Sequence, residues 1–189
     1  MRICIFGASG TEIDKSYITA TEQLGKTLAA KGHSLVFGGG KNGLMGAAAR
    51  GFKSENGAIV GVAPEFFRNT GVLYDGCTEF VWTASMRDRK EYMEDNADAF
   101  IVTPGGIGTY EEFIEVLTLK QLARHTKPIA LFNVNGYFNP LVALFEQNIK
   151  DGFVRPQTND LFKLTADANE LIYYIENDKI NPEDIHYTY

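Results

Sequence analysis

The sequence has few cysteines, few histidines and no excess of positive charge. Cys4 and Cys77 are its only cysteines, and two in 189 residues do not make a disulfide framework. Cys4 sits inside an apolar run and reads as a core residue. His33, His125 and His186 stand far apart without metal-ligand spacing, so the sequence offers no metal site. Each reads as a surface or internally satisfied histidine. Lys and Arg number 18 against 24 Asp and Glu, a net charge of −6 with no basic block. That balance argues against nucleic acid or a membrane surface as partner. No apolar stretch approaches the ~20 residues of a membrane span. Arg2 leads at once into a strand-like run, not a secretory leader. A reducing cytoplasm is the expected setting.

Several catalytic signatures are missing too. There is no G-x-S-x-G elbow for a hydrolase serine. No glycine loop ends in the Lys-Ser/Thr of a P-loop, and none follows the first strand with full dinucleotide spacing. No acidic pair marks a phosphoribosyltransferase. Linkers, low-complexity tracts and internal repeats are absent.

What is present is glycine, 19 residues gathered in short runs. Apolar runs alternate with helical patterns around them. Strands are predicted at Arg2–Phe6, Ser34–Phe37, Ala58–Val62, Glu79–Thr83, Ala99–Val102, Pro128–Phe132 and Leu161–Leu164. Helices are predicted at Ser16–Lys31, Leu44–Ser54, Met86–Asn96, Thr109–Ala123, Tyr137–Lys150 and Asp167–Asn177. The tail Lys179–Tyr189 is polar and aromatic without a period. Alternation with short connections predicts one α/β domain over residues 1–189, its mostly parallel sheet covered by helices on both faces. Runs such as Ile129–Leu131 are apolar on both sides, as buried parallel strands are. Ligands bind such sheets at the carboxyl ends of the strands. Three glycine-rich segments fall at that edge: Gly7–Gly10, Gly38–Gly46 and Pro104–Gly108.

Pro104–Glu112 joins a strand to a helix. Its glycines let the backbone approach a phosphate, and the helix that follows offers free N–H groups. A plainer reading is a capping box, with Thr109 capping the helix and Glu112 bonding back. It accounts for Thr109 and Glu112 but not for Gly105, Gly106 and Gly108. Ser85 is a helix cap for the segment Met86–Lys90. Arg87 has Glu91 four residues on, and Lys90 has Glu94. Arg89 has no such partner, and Ser85, Met86, Tyr92 and Met93 surround it on the less polar face. It binds an anion from a ligand, or it snorkels or pairs across the fold. The triple glycine Gly38–Gly40 suggests backbone contact with a ligand. Asp14 and Asp75 read as turn residues.

Taken together, these segments resemble the Lonely Guy family, often labelled lysine decarboxylase-like. Its hallmark P-G-G-x-G-T-x-x-E is met at Pro104–Glu112. Met86, Arg89 and Lys90 meet a second element, and Gly38–Gly40 with Gly43–Gly46 a third. The likeness continues through Lys127-Pro128, Asn133–Tyr137 and Gly152-Phe153. It implies a modified Rossmann fold, usually a homodimer, with catalytic Arg89 and Glu112. It also implies hydrolysis of AMP or an N6-substituted AMP to free base and ribose 5-phosphate, with no cofactor. The decarboxylase label lacks chemical support, since neither loop offers a lysine for a pyridoxal phosphate Schiff base.

In this reading, backbone N–H groups around Gly105, Gly106, Gly108 and Thr109 hold the 5′-phosphate. Ser9, Gly39, Gly40, Met86 and Lys90 line the nucleotide site, and Glu111 assists Glu112. A non-catalytic nucleotide carrier and a general purine nucleoside-monophosphate nucleosidase are the alternatives.

Overall fold

The computed structural model describes residues 1–178; the expectations for the tail and for His186 lie outside the described residues. The strands are β1 (Arg2–Phe6), β2 (Ser34–Phe37), β3 (Ile59–Pro64), β4 (Glu79–Thr83), β5 (Ala99–Val102), β6 (Ile129–Phe132) and β7 (Lys163–Thr165). The helices are α1 (Lys15–Ala30), α2 (Gly43–Ser54), α3 (Met86–Asp95), α4 (Ile107–Gln121), α5 (Asn139–Lys150) and α6 (Ala168–Asn177). All seven strands join one parallel sheet in the order β4-β3-β2-β1-β5-β6-β7.

Side-chain alternation explains why both faces of the sheet are apolar. Ile3 and Ile5 point to one face, where Leu24, Leu28, Phe52, Leu171 and Ile175 cover them from α1, α2 and α6. Cys4 and Phe6 point to the other, against Met93, Phe113, Val116 and Phe145 of α3, α4 and α5. Each fully buried side chain of this kind contributes about 1.5–3 kcal/mol, so the two clusters dominate the folding free energy. Cys4 is buried and both cysteines are free thiols. His33 bonds Glu176 at 2.9 Å, and His125 bonds the Val116 carbonyl at 2.9 Å. Burial lowers the His125 pKa to about 4, so its ring is neutral at physiological pH. No helix among the described residues is long and apolar enough to cross a membrane.

Most boundaries shift by one or two residues, and three of the shifts have a clear local reason. β3 runs on to Pro64 because Val62, Ala63 and Pro64 find partners in β4. The chain turns through a 3-10 segment at Val134–Gly136, so α5 starts only at Asn139. Strand β7 starts at Lys163, because Pro156–Leu161 forms a 3-10 turn.

The strand order fixes where a ligand can sit. From β1 the chain winds outward through β2, β3 and β4, then returns to β5 on the other side of β1. The loops after β1 and β5 therefore diverge and leave a crevice at the carboxyl edge, the switch point of an open α/β sheet.

Candidate active site at the carboxyl edge

The three glycine-rich loops meet in that crevice through their backbones. Ala8 N donates to Pro104 O at 3.1 Å, tying the β1 loop to the β5 loop. Ala8 O accepts from Leu44 N at 2.8 Å and Met45 N at 3.2 Å, tying it to α2. Gly43 serves this junction: its φ is +59°, and a Cβ there would lie 2.3 Å from Ala8 O.

These bonds also decide which helix end is open to an anion. The first turn of α2 is occupied by Ala8 O. Helix α4 has Gly106 as its N-cap, and no side chain caps it. Its first amide to reach a carbonyl is that of Tyr110, bonded to Gly106 O at 3.1 Å. The amides of Ile107, Gly108 and Thr109 are thus unpaired among the described residues, at the positive end of the helix. The capping-box reading of this turn does not hold. The helix starts two residues earlier than expected, and Thr109 lies inside it, packed against Gly105. Tyr137 Oη steadies the same turn by donating to Gly105 O at 2.6 Å.

The crevice widens into a cleft of about 840 Å³, within the usual range for a small-molecule site. Gly105, Gly106, Gly108 and Thr109 line it on one side, with Ser9 and Gly40 beside them. Phe67, Val72, Leu73, Met45 and Met86 form an apolar wall. Sequence reasoning did not foresee the part from Phe67 to Leu73. That stretch has no period, because it is a 3-10 turn followed by a strap pinned to the β2 loop. Lys41 N donates to Val72 O, and Tyr74 N to Gly39 O.

Glu112 and Arg89 form the charged floor. They are the only carboxylate and the only cation among the described lining residues. Both side chains are buried, and Arg89 Nη2 donates to Glu112 Oε1 at 3.2 Å. Arg89 Nε donates to Val62 O at 3.3 Å, fixing the guanidinium against β3. Arg89 thus finds across the fold, in Glu112, the carboxylate partner that its own helix lacks. Burial pushes the Glu112 carboxyl up to about 7, and Arg89 opposes that rise without cancelling it. A carboxyl poised near neutrality can take up or give up a proton during a reaction.

Gly38 carries part of this geometry. A Cβ on it would lie 1.9 Å from Arg89 Nη2. Gly38→Ala should displace the guanidinium from Glu112 while leaving the fold intact, because the obstructed atom ends a side chain. A melting temperature lowered by of order 10 °C, from the broken buried pair, together with severely reduced turnover is expected. Unchanged turnover would show that this contact is dispensable.

Three expected site residues lie behind the cleft wall. Gly39 faces Phe80 and bonds Tyr74, because its φ of +75° turns it toward the strap. Lys90 does not pair with Glu94 as expected. Its Nζ bonds Glu111 and Glu115 instead, since α4 presents both carboxylates to it directly. Ser85 caps α3 as expected, in a capping box with Asp88.

A family model described as "Possible lysine decarboxylase" matches residues 45–175. The chain is 38% identical over 175 residues to the rice (Oryza sativa subsp. japonica) protein "Probable cytokinin riboside 5'-monophosphate phosphoribohydrolase LOGL9", covering 93% of this chain and 77% of that one. It belongs to the Lonely Guy family. To cytokinin riboside 5'-monophosphate phosphoribohydrolase LOG7 of Arabidopsis thaliana the identity is 37%, covering 93% of this chain and 81% of the relative. Among solved structures, the molybdenum cofactor binding protein of Rippkaea orientalis superposes with a TM-score of 0.70 at 22% identity, covering 93% of this chain and 94% of that one. That likeness concerns the fold. The decarboxylase wording does not suit this cleft. No lysine is among its described lining residues, so none stands ready to form a Schiff base with pyridoxal phosphate.

Proposed function

We infer that the protein hydrolyses the N-glycosidic bond of N6-substituted adenosine 5′-monophosphates, releasing the free base and ribose 5-phosphate. The observation that carries this reading is the placement of the Glu112–Arg89 pair. It forms the floor of a cleft whose rim is the uncapped start of α4. The names of the Lonely Guy relatives support it.

The chemistry follows from the placement. The 5′-phosphate sits on the free amides of Ile107, Gly108 and Thr109, which hold an anion without a lysine. The base lies toward the apolar wall of Phe67, Val72, Leu73 and Met86. Breaking the bond between the base nitrogen and C1′ leaves the ribose with oxocarbenium character. Glu112, as carboxylate, stabilises that charge and accepts a proton from the attacking water. Water oxygen becomes the new hydroxyl at C1′, and the base leaves with its bonding electrons and takes up a proton. Arg89 holds the Glu112 carboxylate in place and can hydrogen-bond the departing base.

A second copy of the chain suits the rim. Ile107 and Met86 both border the cleft and are exposed. Apolar side chains so placed support a homodimer with active sites near the interface.

The test is to incubate the protein with AMP and with N6-isopentenyl AMP, and to follow free base by chromatography. The apolar wall leads us to expect faster release from the isopentenyl nucleotide. Because the carboxylate is the working form, activity should rise with pH through about 7. Absence of base from both nucleotides would overturn the reading. An equal rate for both would favour a general nucleoside-monophosphate nucleosidase.

A further inference from the structure

Lys90 follows Arg89 in the chain, yet it serves a different place. Its ammonium lies between Glu111 and Glu115 of α4 and bonds both. Burial alone would lower its pKa, but those two bonds hold it above the usual lysine value. Glu94 adds a third carboxylate nearby. Burial, then Glu115, raise its pKa to about 7, while Lys90 acts to lower it. A lone lysine thus joins two helices through a group of acids that would otherwise repel one another. The two pairs interleave: Arg89 and Lys90 are neighbours on α3, Glu111 and Glu112 neighbours on α4.

We propose that Lys90 is a positioning residue, which bridges Glu111 and Glu115 to hold α3 against α4 so that Arg89 meets Glu112. Its kinetic consequences rest on the hydrolase reading; its structural consequence does not. The bridge acts on Glu112 in two ways. It fixes the spacing across which Arg89 Nη2 reaches Glu112 Oε1. It also adds a positive charge beside a carboxyl whose other charged or titratable neighbours are Arg89 on α3, Glu111 on its own helix and Cys4 on β1. Without Lys90, Glu111 and Glu115 face α3 as unneutralised anions and favour the protonated form of Glu112.

The deciding experiment is a titration of Glu112 by NMR in protein labelled with ¹³C in its glutamate carboxyls. The Glu112 signal is assigned by its loss in Glu112→Gln. In Lys90→Met, the Glu112 midpoint should move up by roughly one pH unit. In the kinetic arm, kcat should fall and its pH profile shift with the midpoint, while KM for AMP stays within about twofold of wild type, because substrate contacts are kept. Lys90→Arg, which can still bridge two carboxylates, should restore both. An unmoved midpoint overturns the proposal. So does a rise in KM of about tenfold or more at unchanged kcat, which would make Lys90 a substrate ligand. A wild type inert toward both nucleotides would defeat the hydrolase reading, and the titration would still decide the role of Lys90. Glu115→Gln keeps the test available should Lys90→Met not fold. There too kcat should fall with KM held, and an unaffected kcat overturns the proposal.

Discussion

Glu112→Gln is expected to reduce kcat by about 10²–10⁴-fold and to make the protein more stable at neutral pH. Both effects come from burying a carboxyl that must ionise to work. The loss of rate follows because glutamine matches the shape and the hydrogen bond to Arg89 but cannot take a proton from water. The gain in stability follows from linkage. Burial raises the folded-state pKa from 4.5 to about 7, so the folded protein holds this proton more tightly than the unfolded chain. Wild-type stability therefore falls as pH rises from about 4.5 to about 7 and levels off above. Across that window ionisation costs roughly 3 kcal/mol.

Glutamine does not ionise, so the difference in melting temperature should open in its favour over the same window. For a chain of this size it should reach of order 5 °C by pH 8. Thermal melts of both proteins between pH 4.5 and 8 check this. Parallel curves would mean that Glu112 titrates normally and that its burial stores nothing for catalysis.

The layout of the sheet's centre was legible because β1, β2, β3 and β5 are apolar on both faces and run into glycine or proline within two residues. The meeting of the glycine loops was legible for the same reason, since parallel strands send all those loops to one edge. Contacts between helices on one face were less so. Arg89 pairs with Glu112, which is 23 residues away, and local periodicity cannot see that distance. Lys90 had Glu94 in register on its own helix, yet two carboxylates on the facing helix took it. The start of α4 was misplaced because Thr109 looks like a cap. The real cap is Gly106, whose lack of a side chain leaves the first turn open. The strap from Phe67 to Leu73 carried no signal, for it is held by backbone bonds to the β2 loop and not by a pattern of its own.

Arg89→Ala should be the more damaging change. Removing the guanidinium leaves Glu112 buried without its counter-ion and empties the space against Val62. Breaking a buried pair from one side typically costs about 3–5 kcal/mol. That cost depends on pH, because Arg89 acts to hold the Glu112 pKa down. At pH 8 the variant must bury an uncompensated carboxylate or protonate it. At pH 5 Glu112 is already neutral, so the cost should be smaller. The double variant Arg89→Ala/Glu112→Gln should recover much of the stability and none of the activity, the non-additivity expected of groups in contact. Arg89→Lys should rescue little, since one ammonium cannot reproduce the fork that serves Val62 O and Glu112 together. Urea unfolding at both pH values, with turnover measured alongside, separates the two roles. If Arg89→Ala loses stability but keeps its turnover, the guanidinium only neutralises a buried acid, and Glu112 does the chemistry alone. If turnover collapses even where the fold is secure at pH 5, compared with wild type at the same pH, Arg89 acts on the substrate as well as on its partner.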